Sequence, residues 1–355
     1  MESTLENYQK VYQMLEDAES KDIYINRLNY LISGDFAYMA KSILSYVSKA
    51  LPHNGKTMGD LLKELPEGRQ IVLYGAGSDG RAALPFFSQD KRFIGFCSET
   101  KWKQRDGYMG YSVLSPQELL KRKDLSVVVS TSRAREEILK ILKDGDYPED
   151  LIFDPAALGC IWCDPEQYFS LETIRYEDEE IFLDVGCCDL NSSLDFKKHC
   201  PNLKKIYAFE PEPENYKRCI EKKERFHLEE VEVLPYGAWS RKDVLYFDAQ
   251  GSGTSTIVEK GTGISIPVIN IDEIVPEKEK ATFIKMDIEG SELEALKGAR
   301  RTIQRHKPKL AICIYHKPED MVEIPLYIKS LVSEYRFYIR HYSNWVNETV
   351  LYAMP

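Results

Sequence analysis

Long apolar runs are missing from this chain of 355 residues. None approaches the roughly 20 residues that a membrane-crossing helix needs, so no membrane span is expected. The opening MESTLENYQK has neither the basic nor the apolar region of a signal peptide, and a cytoplasmic location is the expectation. An excess of positive charge is missing as well. The chain carries 47 Lys and Arg against 57 Asp and Glu, a net charge of −10. That balance argues against a non-specific binder of nucleic acid or of anionic membrane. The eight cysteines show no disulfide framework and read as reduced thiols. Cys160-x-x-Cys163 has no second pair to complete a zinc site, and its LG and DP flanks read as turn chemistry. No internal repeat is present.

The length predicts more than one domain, or one domain with a large extension. Residues 1–65 carry helical spacing: Leu5, Tyr8, Tyr12 and Leu15 fall on one predicted face, and FAYMAKSILSYVSKAL is a second predicted helix. These helices hold no catalytic constellation. A homo-oligomer, if formed, is expected to use them.

Residues 66–154 read as a small α/β domain. IVLY, RFIGF, YSVL and LSVVV are strand-like, and REEILKILKDG is a helix stopped by glycine. The alternation of strand and helix implies a parallel sheet. After IVLY, Gly75, Gly77 and Gly80 match G-x-G-x-x-G between strand and helix. That context suits a phosphate cradle for a nucleotide, or close helix–strand packing alone. The acid expected at the end of the next strand is displaced: Cys97 and Ser98 precede Glu99.

Residues 155–180 are a connector. From Ile181 the alternation resumes, with strands predicted at 181–185, 204–209, 231–235, 281–286 and 309–315 and a β-rich insert before the fourth. YRFYIRHYS and ETVLYAMP, joined by NWVN, read as a closing antiparallel hairpin. Three segments carry the chemistry: IFLDVGCCDLNSS, KKIYAFEPEPENY and ATFIKMDIEGSELEALKGA. Each is an apolar strand ending in an acid, as in open parallel sheets that bind ligands at their carboxyl ends. Asp-x-Gly, then Glu-Pro, then Asp-x-Glu-Gly fits S-adenosylmethionine (SAM) better than a dinucleotide.

From about residue 165 to the end, these motifs resemble the FkbM family of SAM-dependent methyltransferases. MDIEGSELEALKGA is the most family-specific of them. The implied fold class is α/β, with two Rossmann-like parallel-sheet domains and an N-terminal helical segment. The domain at 181–355 would have the class I methyltransferase fold, closed by the hairpin. In that frame Gly186 lets backbone approach SAM without a Cβ. Asp184 and Asp189 orient the loop or receive the ammonium. Ser192 and Ser193 begin a helix suited to the SAM carboxylate. Glu210 takes the ribose hydroxyls, Pro211 and Pro213 fix the next turn, and Gly237 and Ala238 admit the adenine. An acid at a strand end also serves as a plain helix cap.

Asp287 and Glu289 would enter the cleft from the fourth strand, whereas Glu292 reads as favouring a helix dipole. His316 ends the fifth strand and His341 the sixth; either imidazole suits a general base. Asp287 and Glu289 with His316, or with both imidazoles, could instead hold a divalent metal such as magnesium. The tail aromatics Tyr335, Phe337, Tyr338, Tyr342 and Trp345 form an acceptor wall or sheet core. The chain departs from the family pattern twice. Leu190 stands where a second glycine is usual, and His316 near the usual place of an acid. A leucine there crowds the ligand unless the loop takes another path.

The resemblance implies O-methylation of a hydroxyl on a sugar, nucleotide-sugar or related polyhydroxy metabolite. The competing readings are a two-domain nucleotide-binding or assembly protein without activity, and an N- or carboxylate methyltransferase of a peptide or small metabolite.

Overall fold

Runs of β-branched and aromatic residues become strands, most of them largely buried, and the Gly- and Pro-containing segments between them become turns into helices. The computed structural model describes residues 5–35, 37–42, 45, 58–131, 134–155, 167–247, 264–343 and 346–355. Cys160, Cys163, Trp345 and most of the second predicted helix lie outside the described residues. By packing, the chain divides into a larger unit (Met1–Ile25, Glu166–Arg340, Asn347–Pro355) and a smaller one (Asn26–Pro165, His341–Val346). Among the described residues no helix is long and apolar enough to cross a membrane.

In the smaller unit β1 (Ile71–Tyr74), β2 (Phe93–Cys97), β3 (Ser112–Leu114), β4 (Ser126–Val129) and β5 (Ile152–Phe153) form a parallel sheet in the order β3-β2-β1-β4-β5. Leu73, Phe87 and Phe96 fill one face, and Val72, Val127 and Leu142 the other. The helix Pro116–Lys121 starts with a capping box, in which Ser115 and Glu118 satisfy each other's backbone N–H groups.

The larger unit opens with β6 (Ile181–Val185), β7 (Lys205–Phe209) and β8 (Val231–Leu234). The insert is a second, three-stranded sheet of β9 (Gly237–Ala238), β10 (Asp243–Phe247) and β11 (Ile264–Ile269), in the order β10-β11-β9. The main sheet resumes with β12 (Phe283–Met286), β13 (Lys309–Cys313), β14 (Arg336–His341) and β15 (Thr349–Met354). Its order is β14-β15-β13-β12-β6-β7-β8. Five strands are parallel, and β15 runs antiparallel to β13. From β6 the chain winds to β7 and β8, then returns to β12 on the other side. The carboxyl ends of β6 and β12 therefore diverge at a switch point, where such sheets bind ligands.

The first helix forms at Leu5–Met14, but its buried stripe differs from the one predicted. Tyr8 is half-buried and Val11 and Leu15 are buried, at i, i+3 and i+7, whereas Leu5 and Tyr12 face solvent. The segment after it covers the edge strand β14. Leu15 bridges Phe337, Ile339 N–H donates to Ser20 Oγ (2.8 Å), and Arg340 pairs with Asp17 (2.7 Å). Such covering blunts an otherwise open sheet edge.

Candidate active site

The turn after β6 is held from behind by a buried ion pair. Asp184 and Lys285 are register partners on β6 and β12, with side chains 0% and 3% exposed. Lys285 Nζ reaches Asp184 Oδ1 at 3.2 Å and donates to Gly186 O at 2.6 Å. Ser192 and Ser193 hydroxyls donate to Asp184 Oδ2 at 2.6 and 2.7 Å. Burial opposes the charge on Lys285, but the carboxylates of Asp184 and Asp287 outweigh it and keep the ammonium protonated. Gly186 sits at φ +83°, and a Cβ there would stand 2.0 Å from Asp287 O. Only glycine fits this turn.

In front of the turn lies a cleft of about 270 Å³. Glu210 and Pro211, at the end of β7, form one side. Gly237, Ala238 and Trp239 form another, and Ile266 and Val268 of the insert give an apolar wall. Glu210 is 4% exposed and accepts the N–H of Glu212 at 2.9 Å. Burial pushes its carboxyl up to about 7, against the lowering effect of that hydrogen bond.

Asp287 and Glu289 also line the cleft. Asp287 accepts hydrogen bonds from Tyr168 (2.8 Å) and Tyr315 (3.1 Å). His316, with 9% of its side chain exposed, stands among three carboxylates. Its Nε2 is 3.5 Å from Asp287 Oδ1 and 3.4 Å from Glu289 Oε2, and its Nδ1 is 3.0 Å from Glu292 Oε1. None of these approaches is aligned as a hydrogen bond. Burial alone would lower His316. Glu292 above all, then Asp287 and Glu289, outweigh it and raise the imidazole to about 9. Half-buried Glu348 and buried Asp320 are each pushed up to about 7, first by burial and then by Asp287 and Glu292 respectively. Glu289 holds φ +55°, a left-handed conformation uncommon outside glycine and typical of turns at working sites.

The cleft thus brings together Gly186, Glu210, Pro211, Gly237, Ala238, Asp287 and Glu289. Other predicted residues are placed differently. Asp184 is fully buried, and Ser192 and Ser193 are turned onto it, so all three fix the loop and none presents a free group to a ligand. Asp189 caps its own helix through Asn191 N–H (3.1 Å) and meets Lys222. Leu190 takes φ +64° and is 0% exposed, which buries its side chain and keeps it off the cleft lining. His341 ends β14 and is counted with the smaller unit. Tyr335, Phe337, Tyr338 and Tyr342 are buried as packing. Glu292, read from sequence as a helix-dipole residue, is instead fully buried against His316. In the smaller unit, Gly75 and Gly77 line a separate cavity, and Gly80 packs under Gly75.

Sequence reasoning missed Lys285, Tyr168, Tyr315 and Trp239. Only Lys285 left a signal, as a lone cation inside the apolar run FIKM.

Residues 184–342 match the family described as Methyltransferase FkbM domain. A stretch of 136 residues is 30% identical to the hexuronic acid methyltransferase AglP of Haloferax volcanii, and covers 36% of this chain and 53% of that protein. The chain thus spans about half the length of this curated relative. Among solved structures, the methyltransferase FkbM of Methylobacillus flagellatus is similar with a TM-score of 0.49 and 20% identity, over 91% of this chain and 99% of that one. The precorrin-6y C5,15-methyltransferase of Geobacter metallireducens is similar with a TM-score of 0.34 and 12% identity, over 53% and 82%.

Proposed function

We propose that the chain, whose residues 184–342 match the FkbM methyltransferase domain, is a SAM-dependent O-methyltransferase whose acceptor is a hydroxyl of a sugar or related polyhydroxy metabolite. The observation that carries this reading is one cleft lined by both Glu210 and Asp287. Bound SAM supplies the electrophilic methyl group, which the acceptor oxygen takes by in-line displacement as the C–S bond breaks and S-adenosylhomocysteine leaves. Glu210 accepts both ribose hydroxyls, as acids at this strand end do in related sheets. Gly237 and Ala238 give room for the adenine, and Ile266 and Val268 exclude water from it.

The acceptor enters at Asp287. Most of the rate comes from holding its oxygen in line with the methyl group. Raised to about 9 by its carboxylate neighbours, His316 favours the imidazolium at neutral pH, which points its role away from general base. Asp287, the carboxylate open to the cleft, takes the acceptor proton, and His316 balances the added negative charge of the cluster. The sugar class draws support from the hexuronic acid methyltransferase to which the chain is similar.

The test is transfer of labelled methyl from SAM to hexuronates, neutral hexoses and nucleotide-sugars. Binding of SAM without transfer to any hydroxyl acceptor would sink the O-methyl assignment. Transfer to amines or carboxylates alone would favour the N- or carboxylate reading.

One observation favours a second role for the cluster. Ligand atoms of Asp287, Glu292 and His316 all lie within 4.8 Å of one another, and both His316 nitrogens and Glu292 Oε2 lack hydrogen bonds. Mixed imidazole and carboxylate donors suit a divalent cation. The close set is Glu292 with Asp287 and His316, with Glu289 at the rim. Magnesium or manganese titration, followed by calorimetry in the absence of SAM, tests this directly. No heat with either ion would leave the cluster as a proton-compensated acid site.

A further inference from the structure

The sheet of the smaller unit has a cavity of its own, outside the family match and independent of the methyl-transfer reading. The order β3-β2-β1-β4-β5 puts a switch point between β1 and β4. At their carboxyl ends lies a space of about 310 Å³. Tyr74 at the end of β1 and Gly75 after it, Ser98 and Glu99 just past β2, and Ile138 and Ile141 of the helix Arg135–Asp144 line it. The volume falls at the small end of the range for ligand pockets, and suits one nucleoside better than a dinucleotide.

The glycine fingerprint here is explained by packing. A Cβ on Gly80 would stand 1.8 Å from Gly75 O, and one on Gly75 would meet Ser130 and Thr131 at 3.2 Å. Both glycines are required whether or not a phosphate binds. The charges speak against a phosphate. Asp79, Glu99 and Glu137 line the mouth, and the described lining residues include no lysine or arginine. Lys103 is committed to Ala76 O, and Arg81 donates to Tyr30 Oη at 3.3 Å. Among the described lining residues the mouth is therefore negative. An anionic ligand meets like charge there.

What the cavity offers is complementary to a neutral ligand. Tyr74 is 2% exposed and its hydroxyl has no hydrogen-bond partner. Burial, then Cys97, Glu99 and Glu137, hold that hydroxyl protonated, and the neighbouring Cys97 thiol is only a weak acceptor for it. Glu99 stands one step past the strand end where dinucleotide folds keep an acid for a ribose diol.

We propose that the smaller unit binds an unphosphorylated nucleoside, with its base on Ile138 and Ile141, a ring nitrogen or carbonyl accepting from Tyr74, and its diol on Glu99. The experiment is calorimetric titration of the full-length protein with adenosine, guanosine, cytidine and uridine, and with ADP and NAD. Each is run on the unaltered chain and on the Glu210→Ala, Glu99→Gln and Ile141→Trp variants. At least one nucleoside is expected to bind, with unchanged affinity in Glu210→Ala, which reports only on the larger unit's cleft. Glu99→Gln, at an exposed position, should weaken it about tenfold, the effect of losing a charge-assisted hydrogen bond. Ile141→Trp should abolish it, and ADP should bind at least about tenfold more weakly than adenosine if adenosine is the ligand. ADP or NAD binding as tightly as any nucleoside would overturn the proposal. So would silence with all four nucleosides, binding lost in Glu210→Ala, or binding indifferent to Glu99→Gln.

Discussion

In the smaller unit β1 runs into Gly75 at φ +127°, and in the larger unit β6 runs into Gly186 at φ +83°. The two turns share a shape and differ in what stands behind them. Behind Gly186 is a buried charge pair, Asp184 with Lys285, reinforced by two serine hydroxyls. Behind Gly75 is the neutral Ser130, whose hydroxyl donates to Tyr74 O (3.2 Å) and Gly75 O (3.0 Å). The next strand end differs too. Glu210 is buried beside an apolar wall, whereas Glu99 is exposed at an acid-rimmed mouth. In the two proposed sites the same backbone device sets where a ligand would sit, and neighbouring side chains set which ligand it would be.

The sharpest way to break this comparison is to remove the charge behind Gly186. Lys285→Met leaves the Asp184 carboxylate buried with only serine donors. Uncompensated buried charge costs about 3–5 kcal/mol, so urea unfolding should show a loss of that size. Asp184→Asn combined with Lys285→Met should recover much of it, because no charge is then stranded. If Lys285→Met were neutral, the ion pair would not be what holds the turn.

His316→Ala addresses the acceptor end. It removes the cation from among Asp287, Glu289 and Glu292, and turnover should fall about 100-fold, within the usual range for a group that handles acid–base charge. Affinity for SAM should change little, since His316 is not among the residues lining the cleft. Steady-state kinetics with a saturated acceptor and SAM titration by calorimetry separate the two. Equal losses in both would place His316 in a merely structural role.

Much of this arrangement was legible in the sequence. β6, β7 and β12 are apolar runs that end in Asp, Glu and Asp, and a parallel sheet leaves one place for those ends to meet. The rest needed the fold. Lys285 and Asp184 are about 100 residues apart and become partners only because β12 lies next to β6 in register. Tyr168 comes from a connector with no periodicity to read. Leu190 looked obstructive because a non-glycine residue at positive φ cannot be foreseen from its identity, and that conformation is what turns the side chain inward. Glu292 looked like a solvent-facing first-turn acid, yet its helix start is buried against His316. The aromatic tail read as sheet or wall, and burial of β14 and β15 decides for sheet.

Glu210 sharpens the comparison through pH. Its carboxyl, ordinarily near 4.5, is pushed up to about 7 in the fold by burial. The folded chain therefore keeps a proton that the unfolded chain has released. That proton's contribution to stability is fully present below about 4.5 and is lost as pH rises through about 7. Glu210→Gln should flatten this slope in unfolding measured from pH 4 to pH 8. In the proposed SAM site the ionised carboxylate is the form that would accept two ribose hydroxyls. SAM affinity should rise through about pH 7 in the unaltered chain, and Glu210→Gln should bind about tenfold more weakly at pH 8 without that rise. Glu99→Gln should leave SAM affinity unchanged. A Glu210→Gln variant with the original pH profile would assign the titration elsewhere.

Ser130→Ala carries the smallest expected effect and the clearest contrast with Lys285→Met. Ser130 is fully buried and its one proton is shared between two carbonyl oxygens. Both carbonyls belong to the turn, and one of them, Tyr74 O, also accepts the N–H of Ser130, which the substitution keeps. The loss should therefore be that of one neutral hydrogen bond, about 1 kcal/mol, read in the same urea experiment. If Ser130→Ala destabilised the chain as much as Lys285→Met, the neutral hydroxyl would be doing what the ion pair does. The two turns would then be equivalent supports rather than a charged and an uncharged version of one device. If it cost nothing, the packing of Gly75 and Gly80 alone would hold the smaller unit's turn, and the nucleoside cavity would stand on sterics and on its acids.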